Sequence, residues 1–300
     1  MADESLAQLN LDRERDAINA TIDRLGATLV ASLPPRIAEA IHYSLSGPGK
    51  RLRGMLVLYA YRAAGGVGDA TPLAAAVEMV HTYSLVHDDL PCMDDDTFRR
   101  GRPTTHVVYG VETATLAGVA MIPLAAQAAV AGAEAMGLWR EQAAIIVEVL
   151  LRAAGASGMI GGQLRDLRAE GERVSLDELE AVHRSKTGAL IAASARIGGI
   201  AAGAPVSALE ALERYGADLG LAFQIVDDVL DVTATTDQLG KTAGRDVALN
   251  KSTYPALLGV DGAVRRAHAF VNDGCEALAE AGLLTPELKQ VADLVITRTN

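Results

Sequence analysis

Leu219-Gly220-Leu221-Ala222-Phe223-Gln224-Ile225-Val226-Asp227-Asp228-Val229-Leu230-Asp231 sets three aspartates in a run that is otherwise almost wholly apolar and holds no Lys or Arg. A solvated helix face carries mixed charge along a polar stripe, and this stretch does not. Helical spacing places Asp227 and Asp231 one turn apart on one face, with Asp228 adjacent and Gln224 one turn before Asp228. Like charges in apolar surroundings repel and lose solvation at high cost. A hard divalent cation relieves both, because oxygen ligands suit magnesium.

A second acidic cluster lies roughly 140 residues upstream: His87-Asp88-Asp89-Leu90-Pro91-Cys92-Met93-Asp94-Asp95-Asp96. Pro91 loosens the helix end that Asp88-Asp89 would otherwise continue, which lets Asp94 return towards Asp88. One such cluster reads as an exposed acidic helix end. Two, both embedded in apolar sequence, read as a site for an anionic substrate held through metal.

Basic residues complement them. Gly47-Pro48-Gly49-Lys50-Arg51-Leu52-Arg53 is a loop opening onto an apolar helix, where backbone N–H groups with Lys and Arg can cradle a diphosphate. Arg99-Arg100 follow the first aspartates closely, and Lys186-Thr187, Lys241 and Lys251 add further cations.

Composition points to helices. Half of the 300 residues are hydrophobic but only 4% are aromatic, and Ala and Gly abound. Ala is the best helix former, whereas strands favour β-branched and aromatic side chains. Leu6, Leu9, Ile18, Ile22, Leu25 and Leu29 recur largely at helical spacing. Ser175, Asp177 and Glu178 form a capped start for the helical pattern running on to Gly199. Breaks fall at Pro34-Pro35, Ser46 to Gly49, Gly65 to Pro72, Gly101 to Pro103, Gly171, Gly203 to Pro205, and Gly240 to Asn250. No strand–helix alternation marks a parallel sheet. The expectation is one all-α domain over residues 1–300, with about ten or more helices.

The formal net charge of -11 argues against a nucleic-acid partner. Cys92 and Cys275 are the only cysteines, so a disulfide framework is not expected and a reducing, cytoplasmic setting fits. The polar, acidic N-terminus lacks a signal-peptide pattern. Thr113 to Ala133 carries no charge and is long enough to span a bilayer. Its Ala, Gly and Thr content, with Pro123 and Gln127 inside, reads instead as a buried core helix, so no membrane span is expected.

These motifs together resemble the trans-type isoprenyl diphosphate synthases (polyprenyl synthetases), and among them the bacterial farnesyl diphosphate synthases. The first cluster matches the family's first aspartate-rich motif, with four residues between the aspartate pair and the next aspartate. The second matches its DDxxD motif. Gly49-Lys50-Arg51-Leu52-Arg53, Gly161-Gly162-Gln163-Leu164-Arg165-Asp166-Leu167, Lys186-Thr187-Gly188-Ala189-Leu190 and Lys251-Ser252-Thr253-Tyr254-Pro255-Ala256-Leu257-Leu258-Gly259 match too, and the likeness runs from about residue 40 to the end.

The resemblance implies an all-α fold around a deep central cavity and a homodimer. It implies that Asp88, Asp94 and Asp227 hold two or three Mg²⁺ ions, which Mn²⁺ can replace, with Asp89, Asp228 and Asp231 in support. By the same resemblance Lys50, Arg53, His81 and Arg100 serve isopentenyl diphosphate, and Gly49 and Lys251 bind substrate. Arg99, Lys186 and Lys241 serve the allylic diphosphate, Thr187 and Gln224 line the reacting carbons, and Tyr83 with Ser84 sets chain length. The implied reaction is head-to-tail condensation of isopentenyl diphosphate with dimethylallyl and geranyl diphosphates to farnesyl diphosphate. Geranylgeranyl diphosphate synthesis, terpene cyclisation and a non-catalytic regulatory subunit stand as alternatives. Gly54 stands where the family usually has proline, Val119 where it has an acidic residue, and Arg298-Thr299-Asn300 lacks the common final basic residue.

Overall fold

A computed structural model describes residues 2–169, 171–233 and 252–298, with side chains from residue 11 onward. The expected helical architecture is observed. In chain order the α-helices are α1 (Ala2–Leu29), α2 (Pro35–Leu45), α3 (Leu52–Ala63), α4 (Thr71–Asp88), α5 (Thr105–Tyr109), α6 (Val111–Ala135), α7 (Arg140–Ala154), α8 (Met159–Ala169), α9 (Leu176–His183), α10 (Ala189–Ala201), α11 (Val206–Thr233), α12 (Tyr254–Glu280) and α13 (Pro286–Thr297). The strands among the described residues are two short ones, β1 (Phe98–Arg99) and β2 (Arg102–Pro103), paired antiparallel. Their connecting residues Arg100 and Gly101 both take positive φ, 52° and 75°, the turn geometry that matches strand twist in a two-residue hairpin.

Two helices carry the acidic motifs. Helix α4 ends at Asp88 and packs against α1, α3 and α6. Helix α11 holds Asp227, Asp228 and Asp231 in its last two turns and packs against α10 and α12. Helix α10 joins the two halves by packing on both α3 and α11. The apolar spacing in α1 works as read: Ile18 and Ile22 are fully buried, each contributing about 1.5–3 kcal/mol by leaving water.

Small residues let these helices approach closely. A Cβ built on Gly198 of α10 would lie 2.4 Å from the Val57 carbonyl oxygen and 2.8 Å from Ala60 Cβ of α3. Backbone sits where a side chain would otherwise be, so nothing flexible can yield.

Helix α6 differs from the expectation of an enclosed core helix. Its Ala114, Ala117, Ala125, Ala128 and Gly132 face is buried, yet Leu116, Val119, Pro123 and Val130 are exposed on the other side. One stripe suffices to pack on α4, and the residues opposite it remain apolar but outward. By length and composition alone, Val111–Ala135 and Arg140–Ala169 could cross a membrane, with 50% and 39% of those windows buried.

Gly198→Ala is expected to destabilise the fold by about 1–3 kcal/mol through overpacking against α3, measured as a lowered midpoint in urea.

Candidate active site

The first aspartate cluster forms as its proline dictates. Helix α4 stops at Asp88, and the Asp94 N–H donates back to the Asp88 carbonyl at 2.8 Å. The Asp95 N–H then donates to the Leu90 carbonyl, with Asp95 in the left-handed region at φ 51°. The loop therefore curls Asp94 towards Asp88. Burial raises the Asp88 carboxyl to about 6; Lys186 opposes the shift, and Asp94 adds to it. Asp89 is almost fully buried, and burial raises it too, against the opposing pull of Arg99. The Arg99 Nε donates to Asp89 Oδ1 at 2.7 Å, while Arg99 Nη2 reaches Asp96 at 3.5 Å.

The hairpin places both arginines. Arg99 lies on β1 beside the aspartates. Arg100, at the turn, donates from Nη1 to the Pro48 carbonyl at 2.8 Å and so ties the hairpin to the basic loop.

Lys186 and Thr187 sit in a π-helical turn, Arg184–Gly188, between α9 and α10. Such turns widen a helix locally and are frequent at functional sites. Ser175 caps α9 as read: its Oγ accepts from the Glu178 N–H, and Glu178 Oε2 accepts from the Ser175 N–H. A Cβ at Gly162 of α8 would lie 2.2 Å from the Lys186 backbone nitrogen, so glycine there lets α8 meet the π turn. Lys186 Nζ donates to Asp166 Oδ2 of α8 at 2.6 Å. Burial alone would lower the Lys186 ammonium, but Asp166 and Asp88 outweigh it and raise it.

The second cluster lies on α11. Arg298, just past α13, donates from Nη2 to the Phe223 carbonyl at 2.7 Å and lies 3.3 Å from Asp227 Oδ1, its guanidinium 3.8 Å over the Phe223 ring. Asp228 is buried and accepts the Tyr254 N–H at 3.0 Å. Tyr254 stacks on His183, whose Nδ1 is 3.4 Å from Gln224 Nε2. Asp231 is also buried.

The basic loop divides its cations. Arg53 Nη1 lies 3.3 Å from His81 Nε2 of α4, and Arg53 Nε and His81 Nδ1 are buried with no hydrogen-bond partner. Burial first, and then Arg53, hold His81 well below its ordinary value, so it is neutral at pH 7. Burial also pushes Arg53 down to about 10, which leaves it cationic. Lys50 is lowered by burial, then by Arg298 and Arg100, with Asp227 opposing, so it sits in the field of both the hairpin and α11. Arg51 instead turns inward to Glu78.

Tyr83 is buried in α4, donates its hydroxyl to the Ala154 carbonyl at 2.9 Å, and meets His87 edge-on. Ser84 Oγ donates to the His81 carbonyl. Lys241 and Lys251 lie outside the described residues. Two open grooves, about 420 Å³ beside Tyr43 and Tyr109 and about 580 Å³ beside Arg13 and Arg24, have none of these residues in their walls.

No group of three or more carboxylate, His or Cys side chains gathers to a single ion among the described residues. Mg²⁺ takes one or two carboxylates plus phosphate oxygens, rather than an all-protein cage. The donors present, aspartate oxygens beside Lys and Arg, suit such a shared site.

Residues 34–276 match the polyprenyl synthetase family. A farnesyl diphosphate synthase of Escherichia coli is 44% identical over 286 residues, covering 93% of this chain and 95% of that protein. A geranylgeranyl diphosphate synthase of Cyanophora paradoxa is 39% identical over 283 residues, covering 93% of each. Among solved structures, a geranyltransferase of Helicobacter pylori complexed with magnesium and isoprenyl diphosphate superposes with a TM-score of 0.77 at 29% identity, covering 94% of this chain and 95% of that one.

The chain belongs to the polyprenyl synthetase family.

Membership sets the reaction class as trans-prenyl chain elongation. Within a polyprenyl synthetase the supporting residues become as informative as the motifs. Sequence reading gave no role to Glu78, Arg298, His183 or Tyr254, and it treated Arg51 only as part of the basic loop. Glu78 carried a usable signal: a lone carboxylate between Val77 and Met79 in an apolar helix needs a partner. Arg298 and Tyr254 carried none, because their contacts join residues 71 and 26 positions apart.

Proposed function

We propose that this polyprenyl synthetase joins isopentenyl diphosphate head-to-tail to dimethylallyl and then geranyl diphosphate, releasing farnesyl diphosphate. The observation that carries the reading is the presence of two unlike parts. Buried Arg53 and His81 hold unused donors, and metal-suited aspartates lie at the ends of α4 and α11. An anion must meet those donors, because buried polar groups left unpaired are costly.

In this reading Lys50, Arg53, His81 and Arg100 hold isopentenyl diphosphate, with Gly49 allowing close backbone approach and Lys251 adding charge. Arg99, Lys186 and Lys241 hold the allylic diphosphate. Asp88, Asp94 and Asp227 hold magnesium, supported by Asp89, Asp228 and Asp231. Bound magnesium supplies charge stabilisation for the departing diphosphate. Lys186 and Arg99 add preorganised positive charge at the same oxygens. The allylic C–O bond breaks, and the double bond of isopentenyl diphosphate attacks the resulting carbocation beside Thr187 and Gln224. A proton then leaves the new chain for the released diphosphate. The apolar walls of α4 and α11 keep water from the cation.

The same reading includes a cytoplasmic homodimer. The outward face of α6, uncharged from Thr113 to Ala133 with Leu116 and Val119 more than half exposed, fits a second copy. A twenty-carbon product is the second reading, favoured by the identity with a geranylgeranyl diphosphate synthase. Tyr83 supports fifteen carbons. It precedes Asp88 by five residues, about 7.5 Å further back along α4, and its hydroxyl bond to Ala154 holds the ring in place, which supports a role as the floor for a growing tail. Product chromatography after incubation with isopentenyl and dimethylallyl diphosphates and Mg²⁺ tests the assignment directly.

Asp88→Ala and Asp227→Ala are each expected to lower kcat roughly 1000-fold or more, as loss of several kcal/mol of charge stabilisation requires. Excess chelator should abolish turnover, and full activity in chelator would refute the metal site. Arg53→Ala should raise KM for isopentenyl diphosphate far more than KM for the allylic substrate, and equal rises would reject the division of labour. Tyr83→Ala should shift the product from fifteen carbons to twenty or more with modest loss of rate. An unchanged product would remove Tyr83 as the floor.

A further inference from the structure

Arg51 lies between two residues assigned to isopentenyl diphosphate, Lys50 and Arg53, yet its side chain is only 4% exposed. Its backbone takes φ 51°, a left-handed conformation that residues with a Cβ adopt only when the surroundings enforce it. That twist sends Arg51 inward. Its Nε donates to Asn19 Oδ1 of α1 at 2.8 Å. Its Nη2 donates to the Leu45 carbonyl at 2.9 Å and to the Gly47 carbonyl at 3.1 Å. Its Nη1 lies 3.6 Å from Glu78 Oε2, and that carboxylate is 2% exposed. The other oxygen of Glu78 accepts the Gly54 N–H at 2.8 Å.

Glu78 thus touches the basic loop twice, on either side of Arg53. It also stands one turn below His81 on α4, the residue that Arg53 meets. Any slip of the loop relative to α4 changes the Arg53–His81 spacing. We propose that Arg51 is the positioning residue of the isopentenyl diphosphate pocket: its buried guanidinium clamps the Gly47–Gly49 loop to α1 and to Glu78, and so fixes Arg53 against His81. The proposal rests on the functional reading above for the identity of the substrate; the clamp itself concerns a diphosphate anion.

Arg51→Lys separates geometry from charge. Lysine keeps the positive charge but offers one nitrogen, which cannot serve acceptors on α1, on the loop and on α4 together. Asn19→Ala removes one acceptor at a distance from the site and covers the case in which Arg51→Lys fails to fold. In folded protein, KM for isopentenyl diphosphate should rise about tenfold or more in Arg51→Lys, the size of one lost hydrogen bond to a charged group, with a smaller rise in Asn19→Ala. In both variants kcat and the allylic KM should stay within about twofold of wild type. Metal-free titration with inorganic diphosphate should show the same order of weakening. Unchanged KM for isopentenyl diphosphate in both folded variants overturns the clamp. Equal rises for both substrates overturn it as well, since they mark a pair that only supports the fold. Wild-type protein that binds inorganic diphosphate with an affinity that falls in Arg51→Lys, but makes no prenyl product, upholds the clamp and refutes the functional reading instead.

Discussion

A carboxylate in an apolar wall cannot keep its charge alone, and this constraint organises the site. Asp89 is met by Arg99, Asp166 by Lys186, Asp227 by Arg298 and Glu78 by Arg51. Breaking a buried pair from one side costs about 3–5 kcal/mol, because the remaining charge is stranded. Each of these four carboxylates has a cation of the same chain beside it. On the reading proposed above, the diphosphate draws on Arg99 and Lys186, which leave Asp89 and Asp166 to do so, while Asp88, Asp94 and Asp227 would hold the magnesium.

The acidic ends and the cations stand on different kinds of element. Asp88 and Asp227 sit on long, well-packed helices, α4 and α11. The cations sit elsewhere: Arg99 on a two-residue strand, Lys186 on a π turn, Arg298 beyond the last helix. Close backbone packing at Gly198 and Gly162 fixes the frame around them. Small side chains thus serve function here by leaving the frame little room to move.

Much of this was legible in sequence because it is local. The bare aspartates of 219–231, the proline-broken cluster after His87 and the Ser175–Glu178 cap all depend on spacings of a few residues, and each folds as its spacing dictates. The outward apolar face of α6 was not legible. An uncharged helix reads the same whether it is enclosed or covered on one side only, since composition carries no information about what packs against the second face. The inward turn of Arg51 was hidden for a different reason. Three cations within four residues look alike in sequence, and only the left-handed backbone at Arg51 separates their directions.

The two internal departures from the family pattern are Val119 and Gly54. Val119 lies on the exposed face of α6. Gly54 stands where a proline would have no N–H to give. Here that N–H donates to Glu78, and Glu78 in turn meets Arg51. The glycine has a cost in helix propensity of about 0.8–1.0 kcal/mol relative to alanine. Relative to proline it gains a hydrogen bond to a buried carboxylate worth about 1.5–3 kcal/mol. Relative to alanine it spares a Cβ that would crowd Ile18 at 3.0 Å and Glu78 Cγ at 3.2 Å. Glycine therefore meets both demands of the junction between the basic loop and α4, an N–H for Glu78 and no side chain against Ile18.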